Sequence, residues 1–159
     1  MKQITEQEAY LRLAALCAQA EHCQYEMQEK MCRWELSEEA QARVMQRLVT
    51  ERYVDDERYA RAFIKDKVRY NKWGRRKVEQ ALWAKHIDED IRQRVLDEVD
   101  DEEYIAVLRP LLQQKRKSTK ANSDYELNGK LIKFAMSRGF TMDIIKQCIN
   151  VTDEDEFLD

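Results

Sequence analysis

Residues 53–87 read YVDDERYARAFIKDKVRYNKWGRRKVEQALWAKHI. Apolar residues recur in this stretch every three or four positions, which is the period of an amphipathic α-helix, and a polar turn around residues 71–74 separates two such runs. Residues 61–85 contain nine Lys or Arg and two acids, a local net charge of +7, whereas the whole chain carries −3. The remainder therefore sums to −10, and this basic centre of an acidic protein indicates a charged partner.

The composition predicts an all-α protein. Three Gly and one Pro in 159 residues are too few for the turns of a sheet protein, while 43% hydrophobic residues in periodic patterns can form a core. No run approaches the roughly 20 apolar residues that span a bilayer. The N-terminal apolar residues are interrupted by charges and do not form a signal peptide. We therefore expect a cytoplasmic protein without a membrane partner.

A three-helix pattern repeats three times along the chain. An apolar residue followed by a capping residue recurs at Leu36, Ile87 and Phe140, 51 and 53 positions apart. A tyrosine recurs near the start of each round, at Tyr10, Tyr59 and Tyr104, 49 and 45 positions apart. This spacing predicts three tandem three-helix repeats that form an elongated, curved molecule. The predicted repeats are residues 1–52, 53–98 and 99–159.

The third repeat departs from this regularity. Pro110 lies inside its first helix, where it removes a hydrogen bond and is expected to kink or end the helix. The polar insertion at 113–124 has no large apolar residue, so it is either a mobile loop or a solvated extension of the helix. Five of the eight residues from Thr152 onward are acids. We interpret this tail as solvated unless it masks the basic centre.

The helix that begins after Asp55 has a packing face and a cationic face. Tyr59, Phe63 and the residues in phase with them point one way, and a narrow arc of cations points the other. The predicted binding set comprises Arg58, Arg61, Lys65, Arg69, Lys72, Arg75, Arg76, Lys77 and Trp83. Its cations could meet phosphates or an acidic protein groove, and the alternative is an ordinary solvated helix face.

Trp83 is the most informative single residue of this set. It lies seven positions after Arg76 and points away from Val78 and Leu82, as an interface anchor or a base-stacking platform would. The alternative is that Trp83 packs on a neighbouring repeat. Trp34 and Trp73, near helix ends, are predicted to be core residues.

The sequence indicates no catalytic or metal centre. Cys17, His22, Cys23 and Cys32 could be drawn as a zinc set, but no Cys-x-x-Cys spacing is present. These cysteines, with Cys148, are expected to be reduced thiols that pack in the core. No Ser or Cys stands in a nucleophile setting, and there is no phosphate-binding Gly-rich loop. We expect neither enzymatic activity nor a cofactor.

Six short motifs together resemble the RecX family of bacterial recombinase regulators. They are Tyr53-Val54-Asp55-Asp56, Arg58-Tyr59-Ala60, Gly74-Arg75, Lys85-His86-Ile87, Leu36-Ser37-Glu38-Glu39 and Arg138-Gly139-Phe140. The resemblance implies a three-repeat helical protein, expected to be a monomer, that lies along the groove of the RecA filament. It also implies a protein that contacts the coated DNA and restrains recombination, repair and the SOS response.

Two other classes of function remain open from the residues alone. One is a general DNA-binding protein that uses its three-helix repeats as helix-turn-helix modules, although the basic residues concentrate in one repeat. The other is a helical-repeat adaptor for a different protein.

One turn departs from the family pattern. In the family, a glycine usually stands just before the apolar residue that leads into the third helix of each repeat. Here only the third repeat has it, at Gly139, and Glu35 and His86 take its place in the first two repeats. A left-handed helix end suits glycine, and other residues adopt it at a cost of about 1 kcal/mol. The turn could therefore differ in the first two repeats.

Overall fold

The computed structural model describes residues 3–149, which contain nine α-helices and no strand. The helices are α1 (Glu6–Gln19), α2 (Gln24–Arg33), α3 (Glu38–Thr50), α4 (Asp56–Arg69), α5 (Arg75–Ala84), α6 (Glu89–Leu96), α7 (Asp101–Ser118), α8 (Asp124–Ser137) and α9 (Met142–Cys148). The predicted all-α class, with three helices to each repeat, is confirmed for this part of the chain. The acidic tail lies outside the described residues.

Side-chain caps determine where several helices begin. The hydroxyl of Thr5 accepts a hydrogen bond from the amide of Glu8 at 3.1 Å, and the Ser37 hydroxyl accepts from the amide of Ala40 at the same distance. The Asp55 carboxylate accepts from the amide of Arg58 at 3.0 Å. Each cap satisfies an amide that has no partner within its helix. The caps at Ser37 and Asp55 confirm helix starts that the sequence predicted.

The described chain divides into two compact units. Unit 1 comprises the chain up to Phe63 together with Leu82–Val95. Within it, α1 and α2 each pack on α3. A buried hydrophobic cluster of this unit comprises Tyr10, Leu13, Ala14, Met27, Met31, Val44, Leu48 and Val54. These residues follow the helical spacing of the sequence, so burial of one apolar face per helix forms this core.

Unit 2 comprises Ile64–Ala81 and the chain from Leu96 onward. In this unit α7 packs on both α8 and α9, and the buried side chains include Leu108, Leu131, Ile132, Phe140 and Ile145. The boundary between the units falls within α4, after Phe63, within α5, after Ala81, and within α6, after Val95. The boundaries of the three sequence repeats stay a prediction.

Pro110 does not end its helix. α7 continues for eight residues beyond it, to Ser118. Pro110 is exposed, so the carbonyl that loses its partner can face water, and buried Leu108 and Leu112 hold the helix on either side. Of the two effects predicted for Pro110, an end to the helix is wrong. A kink at Pro110 stays a prediction. The first half of the polar insertion is helical, as a solvated extension would be, and residues 119–123 connect it to α8.

The same turn closes the second helix of all three repeats. Glu35, His86 and Gly139 have φ values of 59°, 58° and 93°. The next residue in each case donates its amide to a carbonyl five positions earlier, at 3.1–3.2 Å. This is the hydrogen bond of a Schellman-type helix end. The turn therefore does not differ in the first two repeats, because its hydrogen bonds hold Glu35 and His86 in the left-handed conformation.

Candidate interaction surface

The two ends of α4 use their cations differently. In the part of α4 within unit 1, Arg58 donates to the carboxylate of Glu21 at 2.5 Å and to the carbonyl oxygens of Arg52 and Tyr53. Arg61, half-buried, lies 3.8 Å from the carboxylate of Glu57. The Arg58 guanidinium therefore ties the connection between α1 and α2 to the start of α4 and contributes to the fold of unit 1.

In unit 2, the second part of α4 presents Lys65 and Arg69 to solvent. Ile64 and Val68, on the opposite face, are 1% and 4% exposed. The structure thus confirms one packing face and one cationic face for this part of the helix. Neither Lys65 nor Arg69 forms an ion pair with a described residue. Their positive charge is not neutralised within this part of the chain.

A glycine contact in unit 2 anchors the start of α5. The amide of Gly74 donates to the carbonyl oxygen of Arg138 at 2.8 Å, and the amide of Arg76 donates to that of Gly139 at 3.0 Å. A Cβ on Gly74 would lie 2.4 Å from the backbone nitrogen of Phe140. Only a glycine permits this approach, which supplies partners to amides at the N-terminus of α5.

This anchor holds the first turn of α5, where three consecutive cations lie. Arg75 is half-buried and pairs with the carboxylate of Asp97 at 2.7 Å. Lys77 is also half-buried, with its ammonium nitrogen 4.8 Å from the centre of the Trp73 ring. Arg76 is exposed and forms no ion pair with a described residue. Of the three, Arg76 is the most available to a partner.

Lys72 is the cation of the connection between α4 and α5. Its side chain is exposed, and its ammonium donates to the carbonyl oxygen of Arg69 at 2.8 Å. Lys72 has a positive φ of 60°, so the chain reverses direction here without a glycine. The exposed cations of unit 2 thus come from the end of α4, the connection and the first turn of α5.

Tyr70 is an exposed aromatic residue that does not belong to the predicted binding set. Its side chain is 78% exposed, and it lies between Arg69 and the Asn71-Lys72 connection. The helical phase of α4 places Tyr70 on the same side as Phe63, so periodicity alone does not mark it as a surface residue. An aromatic ring next to exposed cations is a common feature of surfaces that stack on nucleic-acid bases. We name Lys65, Arg69, Tyr70, Lys72 and Arg76 the basic surface.

The three tryptophans differ from one another in exposure. Trp83, in unit 1, is 68% exposed, as the anchor hypothesis requires. Trp34 and Trp73 are half-buried. Trp34 packs against the core cluster of unit 1, which agrees with its predicted core position, whereas the prediction that Trp73 is a core residue is wrong. Each has cations near its ring: Arg12 lies 5.8 Å from the ring centre of Trp34, while Lys67 and Lys77 lie 5.4 and 4.8 Å from that of Trp73. These distances fall within the range of cation–π attraction.

The cysteines are not arranged as a metal centre. Cys23 is buried, and burial raises the pKa of its thiol to about 11. Cys17 and Cys148 are half-buried, whereas Cys32 is exposed, so the core assignment is wrong for Cys32. No group of three or more potential ligands within residues 3–149 could hold a metal ion. None of the helices in that range is long and apolar enough to cross a membrane.

Comparison with known proteins identifies both later repeats. Residues 55–96 match the family model described as the second three-helix domain of RecX, and residues 101–149 match that of the third. The regulatory protein RecX of Lactobacillus delbrueckii subsp. bulgaricus is 30% identical over 135 residues, covering 82% of this chain and 50% of the relative. That of Bacillus cytotoxicus is 23% identical over 150 residues, covering 94% of this chain and 56% of the relative.

Solved structures show the same fold. The crystal structure of RecX from Lactobacillus salivarius superposes with a TM-score of 0.82 at 18% identity, covering 90% of this chain and 93% of the other. A second RecX crystal structure gives a TM-score of 0.81 at 16% identity, covering 90% and 70%. The chain spans about half the length of the first curated relatives. Two domain matches over more than half of its residues show that the chain belongs to the RecX family.

Proposed function

We propose that this chain is a cytoplasmic regulator that binds the RecA–DNA filament. Its binding lowers recombinase activity and so restrains recombination, DNA repair and the SOS response, without any chemical step of its own. Family membership and the name regulatory protein, which its relatives carry, support the regulatory role. The single observation that supports a filament contact is the basic surface, whose cations form no ion pair with the residues that the structure describes.

The chemistry of the basic surface fits a phosphate backbone or an acidic protein groove. Lys65, Arg69 and Arg76 are exposed and form no ion pair with a described residue, so a partner does not have to displace an internal one. Such charges contribute little to stability but much to the rate and specificity of association. Arg58 and Arg75 already hold Glu21 and Asp97, and we assign their main role to the fold.

The test neutralises the three unpaired cations together. The variant Lys65→Gln/Arg69→Gln/Arg76→Gln should bind RecA-coated single-stranded DNA at least tenfold more weakly at about 0.1 M salt, because electrostatic contacts are lost. Glutamine has nearly the helix propensity of Lys and Arg, so the circular dichroism should be unchanged. Binding can be measured by fluorescence anisotropy of a labelled oligonucleotide coated with RecA.

A matched control removes the effect of net charge. The variant Gln19→Glu/Gln28→Glu/Gln46→Glu changes three exposed residues of unit 1 and lowers the net charge by the same three units. It should retain nearly the affinity of the parent. If both variants lose affinity equally, or neither does, the basic surface is an ordinary solvated face and the proposed filament contact is wrong.

General DNA binding is a second candidate function, and exposed Tyr70 beside Arg69 favours it. Bare single-stranded DNA distinguishes the two candidates. An equal loss on bare and RecA-coated DNA would indicate that the basic surface contacts only the nucleic acid. A loss confined to the coated filament would indicate contact with RecA itself. If RecA-coated DNA binds neither parent nor variant, the helical-repeat adaptor is the remaining alternative.

A further inference from the structure

A second cationic region lies in the third repeat, apart in sequence from the basic surface. Residues 104–149 contain nine Lys or Arg and three acids, a net charge of +6. The acids are Asp124, Glu126 and Asp143, and none lies in the polar insertion before Asp124. The sequence predicts that this insertion is either a mobile loop or a solvated extension of the helix. The net charge of residues 104–149 is thus nearly equal to the +7 of the basic centre, and it indicates a second surface for a negatively charged partner.

The structure holds these cations on a helical extension of α7. Leu112 is the last buried residue of α7, and the helix continues to Ser118 with no further apolar side chain. Arg116 and Lys117 are exposed on this extension, and Lys120 is exposed just after it. None of these three cations forms an ion pair with a described residue. Lys115 lies against α8, with its ammonium nitrogen 5.0 Å from the centre of the Phe134 ring, and the extension keeps Arg116 and Lys117 in helical positions at the surface.

Arg116 also connects the extension to a cationic groove. The groove has a volume of about 310 Å³, and its lining includes Arg109, Arg116 and Lys146. The guanidinium of Arg109 donates to the carbonyl oxygen of Gln147 at 2.9 Å, which fixes one wall of the groove. Three cations around an open groove form a suitable environment for a phosphate group.

The electrostatics of the helix end explain only part of this arrangement. Cations in the last turn stabilise the negative C-terminal end of a helix, by about 0.3–1 kcal/mol each at the surface. That effect applies to Arg116 and Lys117, which lie in the last turn of α7. It does not apply to Lys120, which lies beyond the helix, or to Lys133, exposed within α8. A polyanionic partner accounts for all four cations.

An exposed aromatic ring lies in the same segment. Tyr125, in the first turn of α8, is 47% exposed. The ammonium of Lys130 donates to the carbonyl oxygen of Lys120 at 2.7 Å, which ties the connection to α8. Cations that follow a backbone together with a stacking ring are the pattern of single-strand binding, since bases are accessible for stacking only when they are unpaired.

We propose that Arg116, Lys117, Lys120 and Tyr125 form a second binding surface, which takes single-stranded nucleic acid. The cations contact successive phosphates, the groove beside Arg116 accommodates one of them, and Tyr125 stacks on a base. The proposal goes beyond the filament contact of the basic surface. It stands if that contact fails, because it concerns bare nucleic acid.

The test compares the parent with Arg116→Gln/Lys117→Gln/Lys120→Gln. The probe is a fluorescein-labelled 30-nucleotide oligo(dT), titrated by anisotropy across a series of NaCl concentrations. The affinity falls as salt rises, and each phosphate contact contributes about −0.7 to the slope of log K against log salt for single strands. Three lost contacts should therefore make this negative slope shallower by about 2. Relative to 1 M salt, that slope corresponds to about a 100-fold loss of affinity at 0.1 M.

Two controls keep the result specific. The unit 1 variant Gln19→Glu/Gln28→Glu/Gln46→Glu carries the same net charge and should keep the salt slope of the parent. Tyr125→Ala should weaken oligo(dT) binding about tenfold or more while leaving binding to a 30-base-pair duplex nearly unchanged. If the triple variant loses its helical circular dichroism, Lys120→Gln/Lys133→Gln, which leaves α7 intact, should still make the slope shallower by about 1.4.

Several outcomes would overturn the proposal. One is a triple variant with the affinity and salt slope of the parent. Another is a control variant that loses as much affinity as the triple variant. Unchanged oligo(dT) affinity with a loss of binding to poly-L-glutamate would instead assign the second surface to an acidic protein.

Discussion

Gly74→Ala should destabilise unit 2 by steric conflict at the start of α5. The new Cβ would lie 2.4 Å from the backbone nitrogen of Phe140 and 2.5 Å from the carbonyl carbon of Gly139. Both are backbone atoms, so relief requires α5 to move away from the turn between α8 and α9. That movement would lengthen the hydrogen bonds from the amides of Gly74 and Arg76, which now measure 2.8 and 3.0 Å.

The expected loss follows from three contributions. Overpacking costs about 1–3 kcal/mol, and two backbone hydrogen bonds are worth about 1 kcal/mol each. Alanine also restricts the unfolded chain, which offsets about 0.4–1 kcal/mol. The free energy of unfolding should therefore fall by about 2–4 kcal/mol. Gly139→Ala, placed at a φ of 93° and 2.4 Å from the Cβ of Lys77, should have a similar effect.

Urea denaturation followed by circular dichroism measures this loss, and amide hydrogen exchange at Gly74 and Arg76 localises it. Asn71→Ala, exposed in the same connection, is the control and should change stability by less than about 0.5 kcal/mol. Because both glycines belong to one contact, the double variant should lose less than the sum of the single losses. A loss below about 1 kcal/mol for Gly74→Ala, with unchanged exchange at the two amides, would refute the reasoning.

Two further predictions concern unit 1. Trp83→Ala should leave the melting temperature nearly unchanged, because the ring is 68% exposed. It should weaken filament binding by about 2 kcal/mol or more. Destabilisation of about 3–5 kcal/mol without a binding loss would assign Trp83 to packing instead. Burial alone would raise the pKa of Glu26, but hydrogen bonds from the Cys23 amide and the Lys85 ammonium lower it below its ordinary value of 4.5. The ionised carboxylate therefore contributes stability above that pH, and the contribution disappears as pH falls through the lowered pKa. The Glu26→Gln variant should be less stable than the parent at pH 7, and the difference in their free energies of unfolding should narrow below pH 4.5. Urea denaturation at pH 7 and below pH 4.5 can measure this difference. A difference that is independent of pH would contradict the assignment.

The sequence by itself determined the helices and the family of this protein. Apolar spacing and caps act within about four residues, so the caps at Ser37 and Asp55 could be recognised without a structure. The local excess of Lys and Arg between residues 61 and 85 also follows from the sequence alone. So does the ordered set of motifs that resembles the RecX family, which the domain matches then confirmed.

Only the tertiary structure decided which cations a partner can reach. Arg58 pairs with Glu21, 37 positions away, and Arg75 with Asp97, 22 positions away, so neither partner follows from a local pattern. The exposure of Tyr70 likewise depends on where packing against α4 ends. Local rules describe helices because their hydrogen bonds span four residues, whereas burial and ion pairing join residues from separate elements of the chain.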